Sequence, residues 1–95
     1  MAVYVDPLCN HGWVLRGRAV KSCHLFTDGD IDELHAMAER IGLKRRWFQC
    51  GNKRLPHYDL TESRRNAAIS LGVIALSRAE AARLWRMLRE AVTDA

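Results

Sequence analysis

The chain has 95 residues, a size typical of one domain, and 48% of them are hydrophobic, so a core can form without a metal or a disulfide framework. Its 15 Lys and Arg outnumber its 11 Asp and Glu, and the net charge of +4 favours anionic partners such as nucleic acids or nucleotides. Three cysteines without CxxC spacing, no signal-peptide pattern and no apolar run near ~18 residues argue against a disulfide-rich secreted protein and against a membrane span.

The first quarter of the chain predicts a strand and a hairpin. Residues 2–5 form an apolar run of β-branched and aromatic residues, which is typical of a strand. Asp6 follows at its carboxyl end, where α/β sheets bind ligands, although Asp6 with Pro7 also fits an ordinary turn. Residues 13–15 and 19–26 flank a turn at Gly17 and predict the two arms of the hairpin.

The middle of the chain predicts a helix and a second strand. Asp30 and Glu33 have capping-box spacing, the apolar residues that follow have a helical period, and Gly42 is a good stop. Within that helix His35 is more typical of a partly buried residue than of a ligand. Residues 45–50 predict a strand, and residues 51–56 predict a basic loop. The arginines beside Trp47 fit either a single-stranded nucleic-acid surface or, as we favour, a solvated strand edge.

The segment over residues 55–65 concentrates polar chemistry just before a helix. Either Asp59 or Thr61 can cap that helix, which runs to about Leu71. Arg64 and Arg65 then lie near the positive end of the helix dipole, where acidic residues are normally favoured. Such an exception is typical of a phosphate site, but two solvent-facing arginines explain it equally well.

The last part of the chain completes the predicted fold. Residues 73–76 predict a short buried strand, and a capping box from Ser77 to Glu80 opens a final helix. The alternation of strands and helices predicts one cytoplasmic α/β domain over residues 1–95. We expect a mixed, mostly parallel sheet with a hairpin and about three packed helices.

Imidazoles and carboxylates follow several predicted strands, and parallel strand ends would gather them at one edge of the sheet. His24, His57 and Asp59 are the candidate ligands for a divalent metal that could activate water. No HExxH motif is present. The cysteines offer a second metal option, structural zinc, but Cys23 and the adjacent His24 would point to opposite faces of a strand.

Four segments carry a resemblance to a known family: residues 1–6, 23–28, 33–36 and 57–60. Their order and spacing resemble a family of small bacterial and phage proteins, the domain-of-unknown-function family 4031. The resemblance runs from Met1 to about the Ser77 capping box, while residues 8–21 and 51–55 fit it poorly. It implies a compact cytoplasmic domain and no assigned activity. The family pattern centres on Asp6, His24, Asp28, His35, His57, Tyr58 and Asp59.

These observations support three hypotheses. The leading one is a site that binds a phosphate-bearing ligand, either nucleic acid or nucleotide, through Asp6, His24, Asp28, His57, Tyr58, Asp59, Arg64, Arg65 and Arg45. The alternative enzyme is a metal-dependent nuclease or phosphohydrolase that uses the same His/Asp set. The third is a protein-interaction module of phage or host regulation, which would use Trp13, Trp47 or the last helix. The sequence leaves the ligand, the metal and the oligomeric state open.

Overall fold

A five-stranded sheet organises the chain, and helices cover both of its faces. The computed structural model describes residues 2–51 and 54–94. In chain order the strands are β1 Val3–Val5, β2 Val14–Leu15, β3 Arg18–Ala19, β4 Ser22–Thr27, β5 Gln49–Gly51, β6 Arg54–Thr61 and β7 Ile74–Ala75. The helices are α1 Ile31–Arg40, α2 Glu62–Ser70 and α3 Arg78–Asp94.

The sheet has the order β5-β6-β4-β1-β7 and is mixed, but mostly antiparallel. β4 runs antiparallel to both β1 and β6, β6 runs antiparallel to β5, and β7 runs parallel to β1. The α/β class, the hairpin and the three helices are confirmed, whereas the predicted mostly parallel sheet is wrong. The physical reason is that β6 is inserted between β4 and β5 in the sheet. α1 links β4 to β5, which run in the same direction, and β6 then reverses the chain and lies between them.

The hairpin is confirmed at its turn and shorter than predicted. β2 pairs with β3, with Val14 opposite Ala19. Arg16 and Gly17 have φ values of 50° and 77°, and two successive positive φ angles are typical of a two-residue hairpin turn. Residues 22–26, predicted as part of the second arm, instead belong to β4 in the main sheet.

The helix starts follow the predicted capping residues. Asp30 caps α1 by accepting a hydrogen bond from the Asp32 N–H at 3.0 Å. At the start of α3, the Ser77 hydroxyl accepts from the Glu80 N–H at 3.1 Å, and the Glu80 carboxylate accepts from the Ser77 N–H at 2.9 Å. Thr61 caps α2, because the rival candidate Asp59 lies inside β6.

Three local predictions are corrected. A 3-10 turn occupies Arg45–Trp47, so the predicted strand over residues 45–50 begins only at Gln49. The predicted basic loop over residues 51–56 is replaced by β6 from Arg54 onward, and Asn52 and Lys53 lie outside the described residues. The predicted buried strand over residues 73–76 is an edge strand, with Val73 buried but Ile74 45% exposed.

The two faces of the sheet bury different kinds of residue. α1 and α2 cover an apolar face whose core includes Val5, Leu25, Leu34, Tyr58, Leu60 and Ala68. On the other face Trp85 of α3 packs against Phe26, with the ring centroids 4.9 Å apart. Because strand residues alternate between faces, the α3 side also receives the polar residues His24, His57 and Asp59.

Among the helices that the structure describes, none combines the length and the apolar character needed to cross a bilayer.

Candidate functional site: a histidine and carboxylate cluster beneath helix α3

Two histidines and a carboxylate meet on the face of the sheet that α3 covers. His24 on β4 is the direct partner of Asp59 on β6, and His57 lies two residues earlier on β6, on the same face. The Nε2 atoms of His24 and His57 lie 3.9 and 3.6 Å from Oδ1 of Asp59. The pairing of these two strands therefore brings three residues with metal-binding side chains to one point.

Hydrogen bonds fix both imidazole rings in the same tautomer. His24 Nδ1 lies 2.7 Å from Oδ2 of Asp6, and His57 Nδ1 lies 2.7 Å from the carbonyl oxygen of Leu55. Carboxylate and carbonyl oxygens only accept hydrogen bonds, so each Nδ1 carries the proton. In a neutral ring Nε2 then keeps its lone pair, and both lone pairs are available on the side of Asp59.

Asp59 is also fixed by a hydrogen bond on its far side. Its Oδ2 accepts from the side-chain amide of Gln49 at 2.5 Å, which leaves Oδ1 for the two histidines. Each of the three residues thus has an outer partner: Asp6 for His24, the Leu55 carbonyl for His57, and Gln49 for Asp59. Outer partners of this kind orient the ligands of protein metal sites and tune their basicity.

The spacing of the three ligand atoms suits a transition-metal ion. They all lie within 4.8 Å of one another. Bonds of about 2.0–2.2 Å separate neighbouring tetrahedral ligand atoms by about 3.3–3.6 Å. The 3.6 Å distance from His57 to Asp59 matches this range, and the 3.9 Å distance from His24 to Asp59 exceeds it slightly, so the side chains would move closer together around an ion.

The electrostatics of His24 follow from the carboxylates around it. The hydrogen bond to Asp6 is the largest cause of a raised pKa for this imidazole, and the charges of Asp6 and Asp59 act in the same direction. Burial of the ring opposes them without cancelling them. The Asp6 carboxylate therefore makes Nε2 of His24 a better electron-pair donor.

A pocket of about 440 Å³ opens in front of the cluster. Trp85 forms one wall, with its ring 5.1 Å from that of His24 and 5.8 Å from that of His57. His11, whose ring lies 5.0 Å from that of His24, and Arg89 also line the pocket. The cluster can thus be reached by a small ligand and by water.

The other predicted site residues lie elsewhere. Tyr58 is 1% exposed, within the core on the opposite face, where its hydroxyl lies 2.7 Å from Nδ1 of His35. Arg65 on α2 donates from Nε to the backbone carbonyl of Asp6 at 3.0 Å, which supports the strand end that carries Asp6. The guanidinium of Arg64 lies 5.5 Å from the ring centre of Trp47. Arg45 is exposed in the 3-10 turn.

The cysteines do not join the cluster. Cys23 lies on β4 next to His24 but points to the opposite face, where it is fully buried. Burial raises the pKa of its thiol to about 12, so it stays protonated. A zinc site built from Cys23 and His24 together is therefore geometrically excluded, as the alternation of side chains along a strand predicts.

Gln49, which holds the carboxylate of Asp59, is a site residue that sequence reasoning missed. It has no charge and belongs to no motif, and its position depends on β5 pairing with β6, where Gln49 lies opposite His57. The available signal was the polar residue between Phe48 and Cys50 in a predicted strand. The contact between Gln49 and Asp59 could have been predicted only from the register in which β5 pairs with β6.

Asp28 lies outside the cluster and anchors the first strand. Its carboxylate accepts hydrogen bonds from the Ala2 N–H at 2.7 Å and from the Tyr4 hydroxyl at 2.8 Å. Burial acts to raise the pKa of Asp28, whereas these hydrogen bonds are the largest of the effects that lower it, and the net result is a pKa below the usual value of an aspartate. The folded state therefore binds protons less readily at this carboxyl than the unfolded state does.

Asp28 is accordingly expected to make the free energy of unfolding decrease as the pH falls into the acidic range. Its contribution to stability is complete above its unfolded pKa and is lost as the pH falls through the lower folded value. Asp28→Asn should reduce the free energy of unfolding near pH 7 by only about 0.5–1 kcal/mol, since water screens this partly exposed group. Urea denaturation at pH 7 and below pH 3 measures the effect, and the variant should differ less from the wild type at the lower pH. Glu90→Gln, at an exposed position of α3, is the control. A loss that is equal at both pH values would contradict this role.

Comparison with known proteins gives a family and no activity. Residues 3–88 match a family model described as "Protein of unknown function (DUF4031)". Searches of curated proteins and of solved structures find no match.

Proposed function

We propose that this chain, which belongs to the DUF4031 family of proteins of unknown function, binds one divalent transition-metal ion through His24, His57 and Asp59 and hydrolyses a phosphate ester with it. One observation carries the proposal. The Nε2 atoms of both histidines and Oδ1 of Asp59 converge, while an outer hydrogen bond orients each side chain.

The type of ion follows from the donor atoms. Two imidazole nitrogens and one carboxylate oxygen suit zinc, iron or manganese better than calcium or magnesium, which prefer oxygen ligands. Three protein ligands leave at least one coordination position for water, as in hydrolytic metal centres. The pocket in front of the cluster gives that position access to a substrate.

A divalent ion held by His24, His57 and Asp59 would lower the pKa of a water molecule and would stabilise the negative charge that develops on the phosphate oxygens. In the overall hydrolysis the oxygen of water forms a bond to phosphorus, the ester P–O bond breaks, and the leaving alcohol takes the proton that the water gives up. His11 lines the pocket beside His24, and we propose it as the group that carries that proton, because an imidazole can both accept and donate one.

The charge of the molecule favours a phosphate-bearing ligand over a neutral one. The net charge of the chain is +4, and Arg89 lines the pocket that contains the cluster. A guanidinium and a metal ion together are a common environment for phosphate in proteins. We therefore propose a nucleotide or a nucleic acid as the substrate class.

The test measures metal binding and turnover on the same samples. The protein is stripped with EDTA, titrated with Zn²⁺ or Mn²⁺ in a calorimeter, and assayed with bis(p-nitrophenyl) phosphate. We expect one ion per chain and hydrolysis that requires the ion. Asp59→Ala should lose both metal binding and hydrolysis, because it removes one of the three proposed ligands. The side chain of Asp59 is 38% exposed, so its removal should leave the fold intact. Stoichiometric metal without any hydrolysis would leave a metal-binding role and reject the enzyme.

Asp6 is expected to act on the ion through His24. Asp6→Ala removes the acceptor of the His24 Nδ1 proton, and loss of such an outer partner costs about 10–100-fold in metal affinity. Asp6→Asn, which still offers one oxygen, should lose less. Calorimetric titration with Zn²⁺ measures both variants, and circular dichroism verifies folding. Equal affinity in the wild type and in folded Asp6→Ala would remove Asp6 from the site.

A further inference from the structure

We propose that a groove beside the metal cluster binds the base of the substrate, so that the substrate is a nucleotide with an unpaired base. The groove is lined by Trp13, Leu15, Leu43 and Trp47, with Thr61 and Arg64 among its polar residues. We call it the aromatic groove. The inference rests on the proposed function, because the metal cluster would bind the phosphate of the same ligand.

The aromatic groove contains exposed apolar side chains. Trp47 is 41% exposed and Leu15 is 40% exposed, although both are large apolar residues. The groove has a volume of about 430 Å³ and is mostly apolar. Exposed apolar residues that line one concave surface are typical of a binding site. A flat ring that stacks on tryptophan would cover this surface.

Two cations beside Trp47 favour a negatively charged partner. The guanidinium of Arg64 lies 5.5 Å from the centre of the Trp47 ring, and the Lys44 ammonium lies 5.8 Å from it. Surfaces that bind single-stranded nucleic acid combine aromatic rings with neighbouring cations in this way, since the rings stack on bases and the cations attract phosphates. A purely apolar partner would gain nothing from either charge.

The aromatic groove is continuous with the metal cluster. Trp13, Gln49 and Asp59 line both the groove and the pocket in front of the cluster. Asp59 itself would bind the ion with Oδ1, and Gln49 contacts its other oxygen. A ligand can therefore have a base in the groove and a phosphate at the ion. A paired base is buried in a stack and could not enter, so the geometry points to a mononucleotide or a single strand.

The experiment measures binding without the metal. A fluorescein-labelled oligothymidylate is titrated with protein in EDTA and followed by anisotropy, and thymidine monophosphate and ribose 5-phosphate serve as competitors. We expect Trp47→Ala to raise the Kd by about 5- to 150-fold, the loss of one stacked base. Trp47→Phe should restore most of the affinity. Met87→Ala, which removes an apolar side chain that is 65% exposed on α3, should bind like the wild type.

The outcomes separate the two proposals. Competition by thymidine monophosphate but not by ribose 5-phosphate supports a base site, and a far tighter oligonucleotide would identify a single strand as the ligand. Unchanged affinity in both Trp13→Ala and Trp47→Ala would overturn the base site, as would equal competition by ribose 5-phosphate. Zinc affinity is measured on the same variants and should not change. Nucleotide binding by a protein that takes up no metal would reject the proposed hydrolase alone.

Discussion

Asp59→Asn is expected to weaken Zn²⁺ or Mn²⁺ binding by more than the ~10–100-fold that loss of an outer partner costs. The substitution replaces the one carboxylate of the proposed ligand set with a neutral amide of the same shape. Both histidines would lose the anionic oxygen that lies 3.6 and 3.9 Å from their Nε2 atoms. Calorimetric titration of the stripped variant measures the loss. The thermal midpoint of the metal-free variant should stay close to that of the metal-free wild type.

The matched control for this prediction is Asp32→Asn. Asp32 is an exposed carboxylate in the first turn of α1, so the variant has the same change of net charge. If both variants lose affinity to the same degree, the effect is one of overall charge, and the assignment of Asp59 as a ligand fails.

Tyr58→Phe is expected to lower the free energy of unfolding by about 1–3 kcal/mol, because it removes the hydroxyl that lies 2.7 Å from Nδ1 of buried His35. His35 is 7% exposed, so water cannot easily replace the lost partner. The ring of Tyr58 stays, and no cavity larger than one oxygen forms. Urea denaturation measures the change. Metal affinity should be the same as in the wild type, since Tyr58 faces away from the cluster.

Tyr4→Phe is the comparison for that variant. The Tyr4 hydroxyl also has one hydrogen bond, to Asp28, but Tyr4 is only partly buried and water can replace the phenol there. Its loss of stability should therefore be smaller than that of Tyr58→Phe. A folded Tyr58→Phe protein with wild-type stability and weakened metal binding would place Tyr58 in the site after all.

The sequence was informative where a local rule determines the structure. The capping residues Asp30 and Ser77 and the turn at Gly17 are correct because each depends on a few neighbouring residues. Direction within the sheet is a long-range property. The alternation of strands and helices is compatible both with the predicted mostly parallel sheet and with the observed sheet, in which β6 lies antiparallel between β4 and β5. These residue patterns do not distinguish the two arrangements.

The same contrast explains the candidate site. His24, His57 and Asp59 were predicted as candidate metal ligands, and the structure brings them together, although their metal binding stays a prediction. Tyr58 was grouped with them because it lies between His57 and Asp59 in sequence. In an extended strand, adjacent residues point to opposite faces of the sheet. Tyr58 therefore faces away from the cluster, although it lies directly between His57 and Asp59 in the sequence. Gln49 joins it only through the pairing of β5 with β6.

X-ray absorption spectroscopy of the zinc-loaded protein is the decisive test of the proposed metal site. We expect one tightly bound zinc ion per chain, with only nitrogen and oxygen ligands at about 2.0–2.2 Å and the multiple-scattering pattern of two imidazoles. Asp59→Asn should change this spectrum or abolish loading. A sulfur shell near ~2.3 Å would place the ion on a cysteine, and a protein that retains no zinc would contradict the proposed site.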